Sequence, residues 1–133
     1  MRAAWRNKVT DEQRLWAVRG AVKAGSNDVD SILDATEALM RELMARNDLT
    51  PDQIVSCLFT ATADLNAEFP AVAARRLGLD SVPLLCTQEL DVPRAMRGVI
   101  RVLVHYYAPP HHVPAHTYLG EAQELRSDLH AAQ

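Results

Sequence analysis

Residues 98–107, GVIRVLVHYY, constrain the fold more than any other stretch of this chain. They read as a β-strand that is apolar on both faces, and such a strand wants cover on both sides. In its middle stands Arg101, whose guanidinium stays protonated at physiological pH. Residues 15–22, LWAVRGAV, repeat the pattern with Arg19. Alternation places Leu15, Ala17, Arg19 and Ala21 on one face, and Trp16, Val18, Gly20 and Val22 on the other. An unpaired buried cation is costly, so each arginine needs an anionic partner or water. Two readings follow. Each arginine closes an internal salt bridge or faces solvent, or it holds an anionic ligand, a task its planar fork suits.

The rest of the chain alternates helix and strand signals. Residues 29, 32, 33, 36, 39, 40 and 43 are apolar or small at helical spacing. Ser26 or Asn27 can cap that helix, with Asp28 and Asp30 at its positive end. Thr50-Pro51-Asp52-Gln53 reads as a second helix start leading into a strand over 54–62, also apolar on both faces. Phe69-Pro70 opens a short helical piece, AVAARRL, that ends near Gly78. A strand over 82–90 and a turn segment, DVPRAMRG, precede the 98–107 strand. Pro109, Pro110 and Pro114 make 108–116 a loop, and the tail from Tyr118 reads as a short strand and one or two helical turns.

This order predicts an α+β domain over 14–133, a mixed sheet with helices on one face, preceded by an extension over 1–13. Helices on one side leave the other side bare. A chain of 133 residues has few elements left to cover it, so a further copy is expected there, in a symmetric oligomer. A net charge of −3 argues against a general nucleic-acid binder. Cys57 and Cys86 form no framework, which fits a reducing compartment. The polar N-terminal stretch lacks the apolar core of a signal peptide, and no apolar run reaches the ~20 residues that span a bilayer. A cytoplasmic protein without membrane association is expected.

The candidate chemistry is rich in arginine. Arg19 and Arg101 are joined by Arg75 and Arg76 on the short helix and Arg126 in the tail. A solvated helix face is the plain alternative for Arg75 and Arg76. Glu89 is a lone carboxylate at the end of an apolar strand, and could simply pair with an arginine. Cys86 reads more readily as a core thiol than as a nucleophile. His111, His112 and His116 share a loop but match no zinc framework, so no metal is expected. Were these groups one site, it would hold a multiply anionic small molecule and stabilise charge. It would be poorly equipped for nucleophilic or metal-assisted chemistry.

Five ordered blocks then carry a resemblance. VRGA at 18–21, TATADLNAEFPA at 60–71, VPLLCTQELDV at 82–92, VIRV at 99–102 and YLGEAQELRSDL at 118–129 are similar to the monofunctional chorismate mutases of the trimeric α/β class. The resemblance implies a homotrimeric pseudo-α/β-barrel with active sites between subunits. It implies rearrangement of chorismate to prephenate without a cofactor. It gives Arg101 the ether oxygen of the substrate, Arg19 a carboxylate and Glu89 the ring hydroxyl, with Cys86 nearby. Tyr118 would donate to a carboxylate. Phe69 and Arg75 would come from the neighbouring subunit, and Arg126 would lie on a mobile tail, beginning near 119, that helps close the site. Val72 stands where a lysine is frequent in the family and Leu85 where a threonine is common. The segment between Arg75 and Val82 looks one residue shorter, and the N-terminal extension is additional. Small trimeric enamine or imine deaminases, and a non-catalytic trimer that binds an anionic metabolite, are the competing readings.

Overall fold

A computed structural model describes residues 12–126 of the chain. Residues 1–11 of the extension expected over 1–13, and residues 127–133 of the tail, lie outside the described residues. Five strands form one mixed sheet: β1 (Arg14–Lys23), β2 (Ile54–Ala61), β3 (Leu84–Gln88), β4 (Val99–Ala108) and β5 (Thr117–Tyr118). Their spatial order is β3-β2-β4-β1-β5. The strand apolar on both faces, β4, is central, antiparallel to β1 on one side and to β2 on the other. The β2–β3 and β1–β5 pairs are parallel. All four long strands stand where the sequence pattern predicts them, shifted at most by two residues at their ends.

Helix α1 (Val29–Arg46) lays Ile32, Leu33, Thr36, Leu39, Met40 and Leu43 inward, the stripe read from sequence. Its cap differs from expectation. Asp28 accepts the Ser31 N–H at 2.7 Å, while Asn27 instead accepts the backbone N–H groups of Asn66 and Ala67, each at 3.0 Å. A cap must sit directly before the first helical residue in extended backbone, and Asp28 does so with φ −141°. Hydrogen bonds from the Ser26 hydroxyl first, then the Ser31 backbone and hydroxyl and the Asp30 backbone, hold its carboxyl below the usual carboxylate range. The Thr50–Gln53 capping box is present, around one short 3₁₀ turn over Pro51–Gln53. The second helix, α2, covers Ala71–Ala74 and widens into a π turn over Arg75–Leu79, where Gly78 takes φ +92°. That conformation strains any residue with a Cβ and ends the helix where the sequence predicts.

On β4 the alternation is complete. Ile100, Val102, Val104 and Tyr106 are buried with α1 and β2 residues in the main core, while Arg101, Leu103, His105 and Tyr107 point to the other face. α1 crosses directly over Gly20, where a Cβ would stand 3.0 Å from both Leu39 Cδ1 and the Thr117 carbonyl oxygen. A second, smaller core holds the tail. Tyr118, Ala122 and Leu125 pack with Ala21, Val99 and Met96. Beyond this tail the face of the sheet opposite α1 is bare in the single chain: Leu15 is 49% exposed, Leu85 59% and Tyr107 40%. This contiguous apolar surface is of the kind that marks an association site.

The proline-rich loop is anchored by aromatic groups. Tyr106 Oη and His112 Nε2 are 2.7 Å apart, and the His112 ring meets both Tyr106 and Trp16 edge-on. Burial, aided by neighbouring His111, holds His112 below its usual 6.5, so its Nε2 accepts from the phenol. Burial also pushes the Tyr106 phenol up to about 12, which keeps it a donor. His116 is lowered by burial first and then by the charges of Arg19 and Arg126, and its Nδ1 accepts the Arg19 N–H at 3.0 Å.

Two expectations follow. Gly20→Ala should destabilise the fold by about 1–3 kcal/mol in denaturant titration, because α1 and the β5 backbone must both yield. Both histidines have folded values below 6.5, so the unfolded chain binds more protons. Their contribution should be complete above about pH 6.5 and be lost as pH falls below it. Unfolding midpoints across that range should show the slope, and it should flatten in the doubly substituted His112→Gln, His116→Asn protein, whose amide oxygens replace the ring acceptors.

Candidate functional site

The bare face is not uniformly apolar. Where β1, β4 and β2 pass side by side, Arg19 and Arg101 emerge from it. Register explains their company: Ala21 pairs with Arg101 and Arg19 with Leu103, so the two arginines share one face two residues apart along the strands. On the other side of β4, Thr60 of β2 is the partner of Arg101, and Thr87 of β3 is the partner of Thr60. Glu89 follows β3, tied to β2 by its N–H donating to Ala61 O at 2.9 Å. Tyr118 arrives from β5, paired in parallel with Ala21. Together these residues line a cleft of about 500 Å³ whose walls are completed by Leu58, Leu85 and Leu103.

The charges in this cleft are arranged unequally. Glu89 Oε1 lies 2.6 Å from Arg101 Nε, with both side chains partly shielded from water. The approach is close but poorly angled, so the buried Nε–H has no aligned acceptor. Thr60 Oγ1 donates to the same Glu89 oxygen at 3.3 Å. Arg19 forms no ion pair among the described residues. The cleft thus presents one arginine without a counter-charge, one arginine held beside a carboxylate, and a buried tyrosine. Such a set can grip two anionic groups and one hydroxyl.

Other sequence candidates lie elsewhere. Alternation along β3 turns Leu85 to the first cleft and Cys86 and Gln88 to a second, of about 390 Å³, which Phe69 also lines, while Thr60 and Thr87 border both. Cys86 also packs against the main core. Phe69 is 66% exposed, and Arg75 and Arg76 are exposed on the π turn. Arg126 is exposed at the end of the described tail, and its charge reaches His116 beside Arg19. Arg19, Glu89, Arg101 and Tyr118 are therefore brought together, while Phe69 and Cys86 line the second cleft and Arg75 lines neither. Among the described residues these candidates lie in two open clefts rather than in one enclosed site. No cluster of His, Cys, Asp or Glu that could hold a metal occurs among the described residues. Sequence reasoning missed Thr60 and Thr87. Their parity with Leu58 and Leu85 was available, but their position opposite Arg101 depends on strand register.

Known proteins resemble this chain over nearly its full length. Residues 15–129 match the family model described as chorismate mutase type I. The chain is 37% identical over 118 residues to chorismate mutase AroH of Thermus thermophilus, covering 87% of this chain and 97% of that protein. It is 36% identical over 114 residues to chorismate mutase AroH of Bacillus subtilis, covering 84% and 90%. The solved structure of a chorismate mutase from Clostridium thermocellum superimposes with a TM-score of 0.78 at 39% identity, covering 82% of this chain and 98% of that one. These likenesses favour the mutase over the deaminase among the readings drawn from sequence.

Proposed function

The chain belongs to the type I chorismate mutase family and is an isomerase that converts chorismate to prephenate, a step of aromatic amino acid biosynthesis; we propose that the reaction takes place in the cleft of Arg19, Glu89, Arg101 and Tyr118. The observation that carries this assignment is the convergence of Arg19 and Arg101 on one cleft, with Glu89 against only one of them.

The rearrangement is unimolecular and asks two things of a protein. The side chain of the substrate must be held folded over the ring, in near-attack geometry. Negative charge that builds on the ether oxygen as the C–O bond breaks must be met by a fixed cation. Arg101 is that cation. It rises from the central strand, and its terminal nitrogens have no hydrogen-bond partner among the described residues. Arg19 binds a carboxylate of the substrate with its free fork, and Tyr118 donates to a carboxylate from β5. Glu89 accepts from the ring hydroxyl. Leucines around the cleft lower the local dielectric and strengthen each of these interactions. The chemistry uses no cofactor.

We further propose that the bare face packs on two more copies in a homotrimer. Its exposed leucines and Tyr107 support a covered surface, and the two open clefts support a shared site. Phe69, Cys86 and Arg75 then come from the neighbouring subunit, Phe69 packing on the substrate and Arg75 adding charge at the entrance. Val72 supplies no charge at the position where the family often has lysine, which leaves Arg75 the larger share of that role. The domain spans 14–133, and its tail from about 119 carries Arg126 toward the closed site. No described helix is long and apolar enough to cross a membrane, and we assign the protein to the cytoplasm.

Arg101→Ala should lower kcat for prephenate formation by at least about 10²–10³-fold, with the protein still folded, and equal activity would remove the mechanism. Arg101→Lys should also be badly impaired, because an ammonium cannot reproduce the fork. Ala17→Glu, on the open face opposite His105, should give a folded but monomeric chain in analytical ultracentrifugation where the wild type sediments as a trimer.

A further inference from the structure

Thr60 stands where three strands meet the cleft. Its register partners are Arg101 on β4 and Thr87 on β3, and the residue after it, Ala61, accepts the Glu89 backbone N–H. Two groups compete for one oxygen of Glu89. The Arg101 Nε lies 2.6 Å away but misaligned, and the Thr60 hydroxyl donates at 3.3 Å. Coulomb attraction fixes the distance between Glu89 and Arg101 but hardly fixes direction. A carboxylate held by attraction alone would turn until both oxygens faced the guanidinium, the bidentate pairing that arginine and carboxylate prefer. That pairing would neutralise Arg101 at its terminal nitrogens and use up the acceptor meant for the substrate.

We infer that Thr60 is a positioning residue for this site. Its hydroxyl holds Glu89 Oε1 beside Arg101 Nε, so that Glu89 Oε2 stays available to a ligand hydroxyl and the terminal nitrogens of Arg101 stay available to a ligand anion. The inference rests on the assignment of Glu89 and Arg101 proposed above, and adds the group that keeps the two from cancelling each other. A threonine suits the place. It is β-branched, so its χ1 is stiff on a strand, and the hydroxyl is presented in a narrow range of directions. Ala61, its neighbour, locks the Glu89 backbone, so one side-chain hydrogen bond is enough to choose the carboxylate orientation.

Valine is close to threonine in shape and favours strands equally, so Thr60→Val deletes the hydroxyl and little else. Prephenate formation should be measured for wild type, Thr60→Val and Thr60→Ser, with thermal unfolding as the check on folding. Thr60→Val should lose about tenfold in kcat, the scale of one hydrogen bond to a charged group, with KM changed by less than about twofold. Thr60→Ser should recover most of the loss. In a Glu89→Gln background Thr60→Val should cost little more, because the hydroxyl acts through that carboxylate. A folded Thr60→Val protein with wild-type kcat overturns the inference, and so does a serine variant as impaired as valine. If Thr60→Val does not fold, Thr60→Ala serves in the same cycle with Glu89→Gln, and full additivity there overturns it. A wild type that makes no prephenate would instead remove the assignment of function, and with it this role for Thr60.

Discussion

The pleat of the central strand governs this molecule. β4 is paired with β1 over 99–108 and with β2 over 100–106, so the residues of its middle are committed to one face or the other with no freedom to drift. Ile100, Val102, Val104 and Tyr106 build the core under the helices, and Arg101, Leu103, His105 and Tyr107 build the opposite surface. A slip of one residue would bury Arg101 in the main core and expose Tyr106. The energetic penalty for that slip is what places a cation on the open face with its backbone rigidly held. Preorganisation of this charge is thus a by-product of core formation.

Rigidity at Arg101 has a chemical counterpart at its partner. Glu89 lies just beyond the end of β3, tied through backbone to β2 and through side chain to Thr60 and Arg101. Placing a carboxylate so near a cation invites mutual neutralisation. The misaligned approach at Nε leaves most of the guanidinium uncommitted. Arg19 differs, since its side chain has no anionic neighbour among the described residues and its backbone N–H is taken by His116. The two arginines therefore bring different degrees of free charge to one cleft.

The helix side serves the site at a distance. Gly20 lets α1 settle onto β1 one residue after Arg19, and on the opposite face the small core of Tyr118, Ala122 and Leu125 seats the tail against the next residue, Ala21. Loop 108–116 is tied down by Tyr106 with His112 and by Asn47, whose side chain donates to Ala115 O at 3.1 Å and accepts from Ala115 N–H at 2.8 Å. These contacts fix the approach of β5, and so the place of Tyr118. What remains uncovered is the apolar part of the open face, together with Phe69 and Arg75 beyond the edge of the sheet.

Much of this was written in the chain itself. Period-two alternation over 15–22 and 98–107 put Arg19 and Arg101 on strands, helical periodicity over 29–43 gave α1, and the prolines gave the loop. Five family-like blocks gave the activity before any coordinates, because local pattern and local chemistry are properties of consecutive residues. Parity even separates Cys86 from Glu89, which stand an odd number of positions apart on nearly continuous extended chain. Tertiary structure alone decided which strands are neighbours and in what register. From that came the pairing of Thr60 with Arg101, the choice of Asp28 over Ser26 and Asn27 as cap, and the separation of Phe69 and Cys86 from the cleft of Arg19 and Arg101. Register and strand order are set by the combined burial of residues far apart in sequence, a sum over the whole core that no single stretch contains.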